Sequence, residues 1–433
     1  GNIGGVLTTG MTLLGTSDGE GCKALGGIGG ELFERLIREN GGTQTSVDPL
    51  FGSIATHDPE LAKLTLMNMA QEAGVQFLLH SFVADVIMDG RRIKGLLVAN
   101  KGGLEVVAGS TFVDCTGDAD LAARSGAEFS FGRETDALTQ PVSSIFRVGG
   151  VEVEKIWQYL EDNPDELQVP YGLTGAPQTV EYLRNTPGAH EDTFRKLIQK
   201  ARENGDFSIP REGVGISTLP GRNEVTVNVT RVHGIDGTNP DDISRAEIET
   251  QRQILVAMRF LRNYCPGFEQ ARIISTPFQV GVRETRHIVG EYCLTADDVL
   301  SGKDFDDQIG RGAYPLDVHD VKAEADSDGT PKKGSGISLV KISKSYGIPS
   351  RCLIPRSVEN LTVGGRSISA THEAAGSIRG QAVCMVTGHA AGTMAALASM
   401  QNIPVKQLSI ENVQQVLLTQ QAILQRPVNV ISD

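Results

Sequence analysis

The spacing of apolar and polar residues changes several times along the chain, and each change marks an element. HDPELAKLTLMNMAQEAG reads as a helix with Asp58 as N-cap, Pro59 in the first turn and Gly74 just past the end. VQFLLH then reads as a strand. From Val83 short alternating runs follow, VADVIM, RIKGLLVA and LEVVA, separated by turns at Asp89-Gly90 and at NKGG, which predicts an antiparallel meander. TFVDC has the character of a buried strand, and TGDADLAARSGA is a glycine turn opening a helix. Helix, strand, meander, strand and glycine turn form the second half of a doubly wound nucleotide-binding unit with an antiparallel insert.

From about Glu128 to Tyr346 the pattern mixes helices with extended pieces. ISRAEIETQRQILVAMRFLRNYC reads as a helix opened by a capping box of Ser244 and Glu247, with Ile248, Leu255, Met258 and Leu261 along one face. ARIISTPFQ and VGVRETRHIVG read as extended, and the polar, glycine-rich DVKAEADSDGTPKKGSG reads as an exposed loop. The α/β pattern then returns, with NLTVGG as a buried strand and QAVCMVTGHAAGTMAALASM as a long helix of small residues. The fold class expected is α/β: a doubly wound, Rossmann-like domain with an antiparallel meander, formed by residues 1–130 and 345–405. An α+β domain spanning 131–344 is inserted between its halves, and 406–433 form a C-terminal tail.

Composition narrows what such a fold can bind. With 53 acidic against 40 basic residues the chain carries a formal charge of −13, which repels phosphate backbones and anionic membrane surfaces, and no concentrated basic patch offsets it. Nucleic acid is not expected as a partner. The 50 glycines cluster as pairs at turns, a pattern that suits close approach of backbone to a ligand. Six cysteines, Cys22, Cys115, Cys265, Cys293, Cys352 and Cys384, lie far apart without a C-x-x-C pair. That argues against zinc and dithiol redox sites and toward a reducing compartment, the cytoplasm. No apolar run reaches the roughly 18 residues of a membrane span, and Ala390 to Met400 is too short.

Four glycine turns border apolar strands: GNIGGVLTTG, DCTGDAD, TVGGRSIS and HEAAGSIRG. With TFVDCTGDADLAARSGA, VNVTRVHGID, PGFEQARII, VGVRETRHIVGEYCLTADDVLSGKDF, YPLDVHD, YGIPSRCLIP and NLTVGGRSISATHEAAGSIRGQAVCMVTGHAAGTMAALA, the chain resembles the FAD-dependent oxidoreductase family as far as about Met400. That family is similar to flavoproteins with a glutathione-reductase-like FAD domain, the fumarate reductase flavoproteins among them. The resemblance implies FAD as cofactor. It also exposes a departure: the family's opening strand, G-x-G-x-x-G turn and helix have no counterpart before GNIGG, and no G-x-G-x-x-G occurs in the sequence. A truncated chain is the expectation, with a split or degenerate flavoprotein as the alternative.

Carried over position by position, the resemblance sets Gly4, Gly5, Thr8, Thr9 and Gly10 along the pyrophosphate and ribityl part of FAD, and Val83 at adenine. Thr116, Gly117 and Asp118 match the turn closing over the dinucleotide, and Gly365 and Arg366 the strand-end turn near the ribityl chain. Gly376, Ser377, Ile378 and Arg379 resemble the segment beside the isoalloxazine, and the next helix would aim its N-terminal amides at the ring's pyrimidine side. Gly388, Ala391 and Gly392 are expected to let that helix pack closely.

For the reaction, an extended GVRETRHIVG puts Arg283, Thr285 and His287 on one face and Glu284 and Arg286 on the other. One face suits an anionic or polyol substrate and the other a structural ion pair, while pairing of both arginines with internal carboxylates is the competing reading. His372, in the turn between NLTVGG and the flavin-facing segment, is the histidine placed at the ring, and a purely structural histidine is its alternative. His319 in YPLDVHD and Tyr346 in YGIP follow mainly from the family likeness; His57, His80 and His233 are taken as structural. Asp304, Asp306 and Asp307 lack the spacing of a calcium loop, so no metal is expected. The function expected is hydride transfer between a small organic substrate and flavin N5. Flavin binding without turnover and a non-redox flavoenzyme remain as alternatives, and homo-oligomerisation is left open.

Overall fold

The computed structural model describes residues 3–169, 172–322 and 337–427. Most of the polar loop DVKAEADSDGTPKKGSG lies outside the described residues.

The helix Pro59–Glu72 starts as its sequence dictates, with the Asp58 carboxylate accepting the backbone N–H groups of Glu60 and Leu61. Gly74, at φ 74°, turns the chain just beyond it. VQFLLH, read as a strand, forms none. Val75, Leu78 and Leu79 remain 51, 50 and 41% exposed, and among the described residues no neighbouring strand offers this stretch a hydrogen-bond ladder. The meander is present, with Phe82–Asp89, Arg92–Asn100 and Gly103–Ala108 paired antiparallel in that order. Asn360 pins it to the rest of the fold: its side chain accepts from Ile93 N and donates to the carbonyls of Ile93 and Ser110.

Asn360 leads into the parallel element. Phe112–Asp114 and Leu361–Val363 pair in parallel, Leu361 opposite Phe112 and Val363 opposite Asp114, so that both chains run out into glycine turns at the same edge. The helix Gln381–Gln401 covers this pair. Ala390 and Ala391 are fully buried, and Thr362 Oγ1 donates to the Ala391 carbonyl at 3.0 Å. A Cβ on Gly364 would stand 3.0 Å from Gly388 Cα, so the strand-end turn approaches the helix closely there, but a Cβ on Gly388 itself, like one on Gly392, would meet nothing within 4 Å. Among the described residues this one helix reaches spanning length. At 21 residues with a mean hydropathy of 1.3 in its most apolar stretch, it is long and apolar enough to cross a membrane by length and composition. Here it packs between the parallel pair, the helix Gly27–Arg38 and the strand Gln308–Gly312.

The intervening segment builds a five-stranded antiparallel sheet in the order His190–Thr193, Val214–Thr218, Glu224–Asn228, Phe146–Gly149, Arg272–Ser275. Phe146, Val148, Val225 and Val227 join Ile254, Met258, Phe260 and Leu261 of the helix Pro240–Tyr264 in one apolar cluster. Each such side chain contributes about 1.5–3 kcal/mol on full burial. The helix differs from its sequence reading. It starts earlier, with Asn239 as N-cap and Pro240 in the first turn; Ser244 Oγ bonds back to the Pro240 carbonyl, and Glu247 accepts from Val280 N. Ile248 and Leu255 point outward at 55 and 54% exposure, because the buried stripe runs through Ala246, Thr250, Gln253, Ala257 and Leu261.

Candidate functional site

Where the parallel strands end, Asp114 shapes the first turn: Oδ1 accepts Thr116 N and Oγ1, and Oδ2 accepts Ala122 N of the helix Asp120–Arg124. Gly117 adopts φ +88°, and the Asp118 carboxylate takes Arg366 Nη2 at 2.7 Å and Thr285 Oγ1 at 2.8 Å. Ser367 Oγ donates to the Gly117 carbonyl, and Arg286 Nη1 reaches both Asp118 O and Asp120 Oδ1 at 3.0 Å. Thr116, Gly117, Asp118, Gly365, Arg366 and Arg286 are therefore brought together. Thr285 and Arg286 converge on one turn, Thr285 at the Asp118 carboxylate and Arg286 at the Asp118 carbonyl and the Asp120 carboxylate, so the alternation expected along GVRETRHIVG does not hold; the strand there is only Arg286–Ile288.

A second group forms around the short helix His372–Ile378. Gly376 is needed there, since a Cβ would stand 2.8 Å from the Asp317 carbonyl. Ser377 Oγ donates to Tyr314 O and shares a 2.7 Å hydrogen bond with Tyr346 Oη; Tyr346 and Ile378 are fully buried. Arg379 Nη2 meets Asp317 Oδ2 at 2.7 Å, where Tyr314 Oη also donates at 2.8 Å. His319 Nε2 lies 3.4 Å from Asp317 Oδ1, and His319 Nδ1 lies 3.2 Å from Arg231 Nη2. Burial would raise the Asp317 carboxyl, but the Arg379 charge and the Tyr314 hydrogen bond oppose it, and the carboxyl lies far below the usual carboxylate range. His319 is pushed well down by burial and by the Arg283 charge, so its ring is neutral.

Between these groups, His372 Nδ1 meets Glu284 Oε1 at 2.7 Å, with His287 Nε2 at 3.6 Å from the same oxygen. Glu284 thus pairs with histidines and not with Arg286. Arg283 gives Nη1 to the Pro141 carbonyl, and burial, then the Arg379 charge, bring it down to about 9.

The Gly4–Gly10 loop lies apart from both groups. Gly5–Thr9 form a 3-10 turn between Gly4 at φ 110° and Gly10 at φ 89°, and the hydroxyls of Thr8 and Thr9 bond back to Gly5 O and Val6 O. His57 Nε2 holds Leu7 O at 2.6 Å. A Cβ on Gly10 would strike Thr226 at 2.8 Å, so the loop packs on the five-stranded sheet. Thr8, Thr9, Lys63 and Ser275 to Phe278 line a cavity of about 110 Å³. Val83 sits on the meander's edge strand opposite Val98, and Arg124 ties that strand to the Asp118 turn through Ala84 O at 2.9 Å. Asp304 pairs with Arg311 and Asp307 with Arg351.

The residues at the strand ends fit a flavin dinucleotide. A Cβ on Gly365, at φ +83°, would meet nothing within 4 Å, which leaves backbone open to a ligand. Buried Arg366 Nε and Arg379 Nε have no acceptor among the described residues. The helix Gln381–Gln401 also starts without a side-chain cap. Asp317, Arg231 and Gln140, which the sequence reading did not name as candidates, stand at this site; the only sequence signal was that Asp317 and Arg231 lie inside the motifs YPLDVHD and VNVTRVHGID.

The family described as FAD dependent oxidoreductase matches residues 1–417. Comparison with curated proteins gives no match. Among solved structures, the flavin-dependent brominase Bmp2 is 12% identical over 94% of this chain and 73% of its own, with a TM-score of 0.40. A geranylgeranyl bacteriochlorophyll reductase-like protein from Thermoplasma acidophilum is 11% identical over 87% of this chain and 71% of its own, TM-score 0.36. Glycine oxidase from Geobacillus kaustophilus is 12% identical over 87% of this chain and 60% of its own, TM-score 0.33. These are distant likenesses.

Proposed function

We propose that this chain, which belongs to the FAD dependent oxidoreductase family and is an FAD-dependent enzyme, moves a hydride between a small organic substrate and flavin N5. The observation that carries the reading is the pair of buried guanidinium Nε atoms, Arg366 and Arg379, that lack an acceptor among the described residues, together with the open backbone at Gly365. In this reading Thr116, Gly117, Asp118, Gly365 and Arg366 hold the dinucleotide at the strand ends, with Gly4, Gly5, Thr8, Thr9, Gly10 and Val83 along its length. Gly376, Ser377, Ile378 and Arg379 flank the ring, beside the uncapped amides of the helix Gln381–Gln401. Bound FAD supplies a two-electron acceptor for the hydride.

The chain's own residues supply position and protons. His372 Nδ1 is engaged by Glu284, which leaves Nε2 as the atom that holds or moves a proton. Arg283 orients the substrate, and Arg286 acts through Asp118 on the dinucleotide turn. His319, neutral and paired with Asp317, positions Arg231; Tyr346 supports the ring segment through Ser377. The six cysteines are free of disulfides, which supports the cytoplasm as the compartment.

The test is the absorption spectrum of the purified protein and its bleaching under anaerobic titration with candidate donors. Stoichiometric FAD that is reduced by a donor and reoxidised by an acceptor supports the reading. Stoichiometric FAD that nothing turns over overturns it in favour of a flavoprotein without redox function.

A further inference from the structure

Arg231, Arg283, Gln140 and His319 gather with Asp317 and Asp192 into one polar chamber, in which cations outnumber carboxylates. Asp317 is matched by Arg379 at 2.7 Å, and Asp192 by Arg211 at 3.4 Å. Arg231 and Arg283 have no such match among the described residues. Arg231 is 6% exposed and its Nη2 meets only the neutral His319 ring, while Arg283 reaches only the Pro141 carbonyl. The two guanidiniums also feel each other and Arg211 as like charges. Buried charges left in this way are costly unless something of opposite sign joins them.

The neutral groups point the same way. Gln140 is 1% exposed; its Oε1 accepts His319 N at 3.0 Å, and its Nε2 has no acceptor among the described residues. The two guanidiniums and this amide N–H are spare donors, and the spare acceptors beside them are Asp317 Oδ1 and the part-exposed Asp192 carboxylate. A planar carboxylate offers only acceptors and matches the fork of a guanidinium that has no carboxylate of its own. Asp192 keeps 27% of its side-chain surface accessible, which leaves an approach to this group of side chains.

We propose that the substrate carries a carboxylate, and that Arg231 and Arg283, aided by the Gln140 amide, bind it in this chamber. That the ligand is the substrate rests on the oxidoreductase reading above; that the chamber binds a carboxylate does not. Arg379, which bridges from the flavin-facing segment to Asp317, places the chamber next to the proposed ring position.

The experiment uses the FAD-loaded protein and a panel of small mono- and dicarboxylates, the matching amides, inorganic phosphate and chloride. Thermal shift and perturbation of the flavin spectrum are both recorded. Carboxylates are expected to raise Tm and amides not to; Arg231→Gln and Arg283→Gln each weaken carboxylate binding about 10- to 100-fold. Arg184→Gln, on an exposed pair with Glu154 and Glu161, leaves it unchanged. Arg283→Lys, which keeps the charge and loses the fork, is expected to fall between wild type and Arg283→Gln and covers a glutamine variant that does not fold. Equal shifts with amides or with chloride and phosphate, or full carboxylate affinity in both arginine variants, overturn the proposal. Carboxylate binding to a flavin that no donor reduces keeps the anion site and removes the oxidoreductase reading. Reduction by neutral donors with no carboxylate shift does the reverse.

Discussion

His372 Nδ1 stands 2.7 Å from Glu284 Oε1, an ion pair closed across 88 residues of sequence and almost wholly out of water. Burial alone would raise the Glu284 carboxyl and lower the His372 imidazole. The two imidazoles, His287 Nε2 at 3.6 Å and His372 in a direct hydrogen bond, reverse the first effect and hold Glu284 at about 2; the Glu284 carboxylate reverses the second and raises His372. The signs then fix the pH window. Glu284 contributes stability above its ordinary 4.5 and loses it as pH falls toward about 2, whereas His372 contributes fully below its ordinary 6.5 and loses it as pH rises through its raised value. Glu284→Gln should therefore flatten both flanks of a plot of Tm against pH and cost about 3–5 kcal/mol between them, the range for breaking a buried pair. An unchanged acid flank would show that the carboxylate is not held ionised by these histidines.

The same pair bears on catalysis. If Nε2 of His372 moves a proton, His372→Ala should slow flavin reduction by about 10²–10⁴-fold while leaving FAD bound. Rapid-mixing reduction kinetics on protein of known flavin content separates the two quantities. Unchanged kinetics would return His372 to a structural role.

Gly117 and Gly365 share a left-handed backbone but not their surroundings. A Cβ on Gly117 would stand 2.4 Å from Arg366 Nη1, whereas one on Gly365 would meet nothing within 4 Å. Gly365→Ala should therefore cost only the conformational penalty, about 1–2 kcal/mol. Gly117→Ala should cost more, because it also pushes Arg366 off Asp118, and should lower the FAD content of purified protein. Denaturant midpoints and flavin-to-protein ratios of the two variants check the order, and equal losses would mean that the Arg366 contact does not matter.

The helix Pro59–Glu72, the meander and the strands Phe112–Asp114 and Leu361–Val363 were legible because their signals are local: a capping aspartate, period-two alternation, apolar runs that end in glycine. VQFLLH shows the limit of that logic, since a strand also requires a neighbour to bond. The site was legible where one motif folds on itself, as in Thr116 to Asp118. It was not legible where partners come from distant segments. Arg231, His319 and Gln140 meet across 88 and 179 residues, and nothing in their own neighbourhoods announces it. Glu284 looked like the partner of Arg286 two residues along, but Arg286 pairs instead with Asp120, at the end of the turn after Phe112–Asp114.

The helix Pro240–Tyr264 offers a test in which two readings of one sequence predict opposite outcomes. A capping box at Ser244 and Glu247 would make Ser244 the residue whose loss frays the helix. In the structure Asn239 accepts the N–H groups of Asp241 and Asp242, and Ser244 sits inside the first turns with its hydroxyl spent on Pro240 O. A serine bonded back to the carbonyl four residues earlier contributes little to a helix and competes slightly with it. Asn239→Ala should thus destabilise the protein by about 1 kcal/mol, within the usual range for an N-cap, while Ser244→Ala should be neutral or slightly stabilising. Urea midpoints of the two variants decide it. Because the helix buries Ile254, Met258 and Leu261 against the five-stranded sheet, a frayed start should leave the slope of the transition unchanged and move only its midpoint. A larger loss at Ser244 than at Asn239 would put the helix start back where the capping-box pattern placed it.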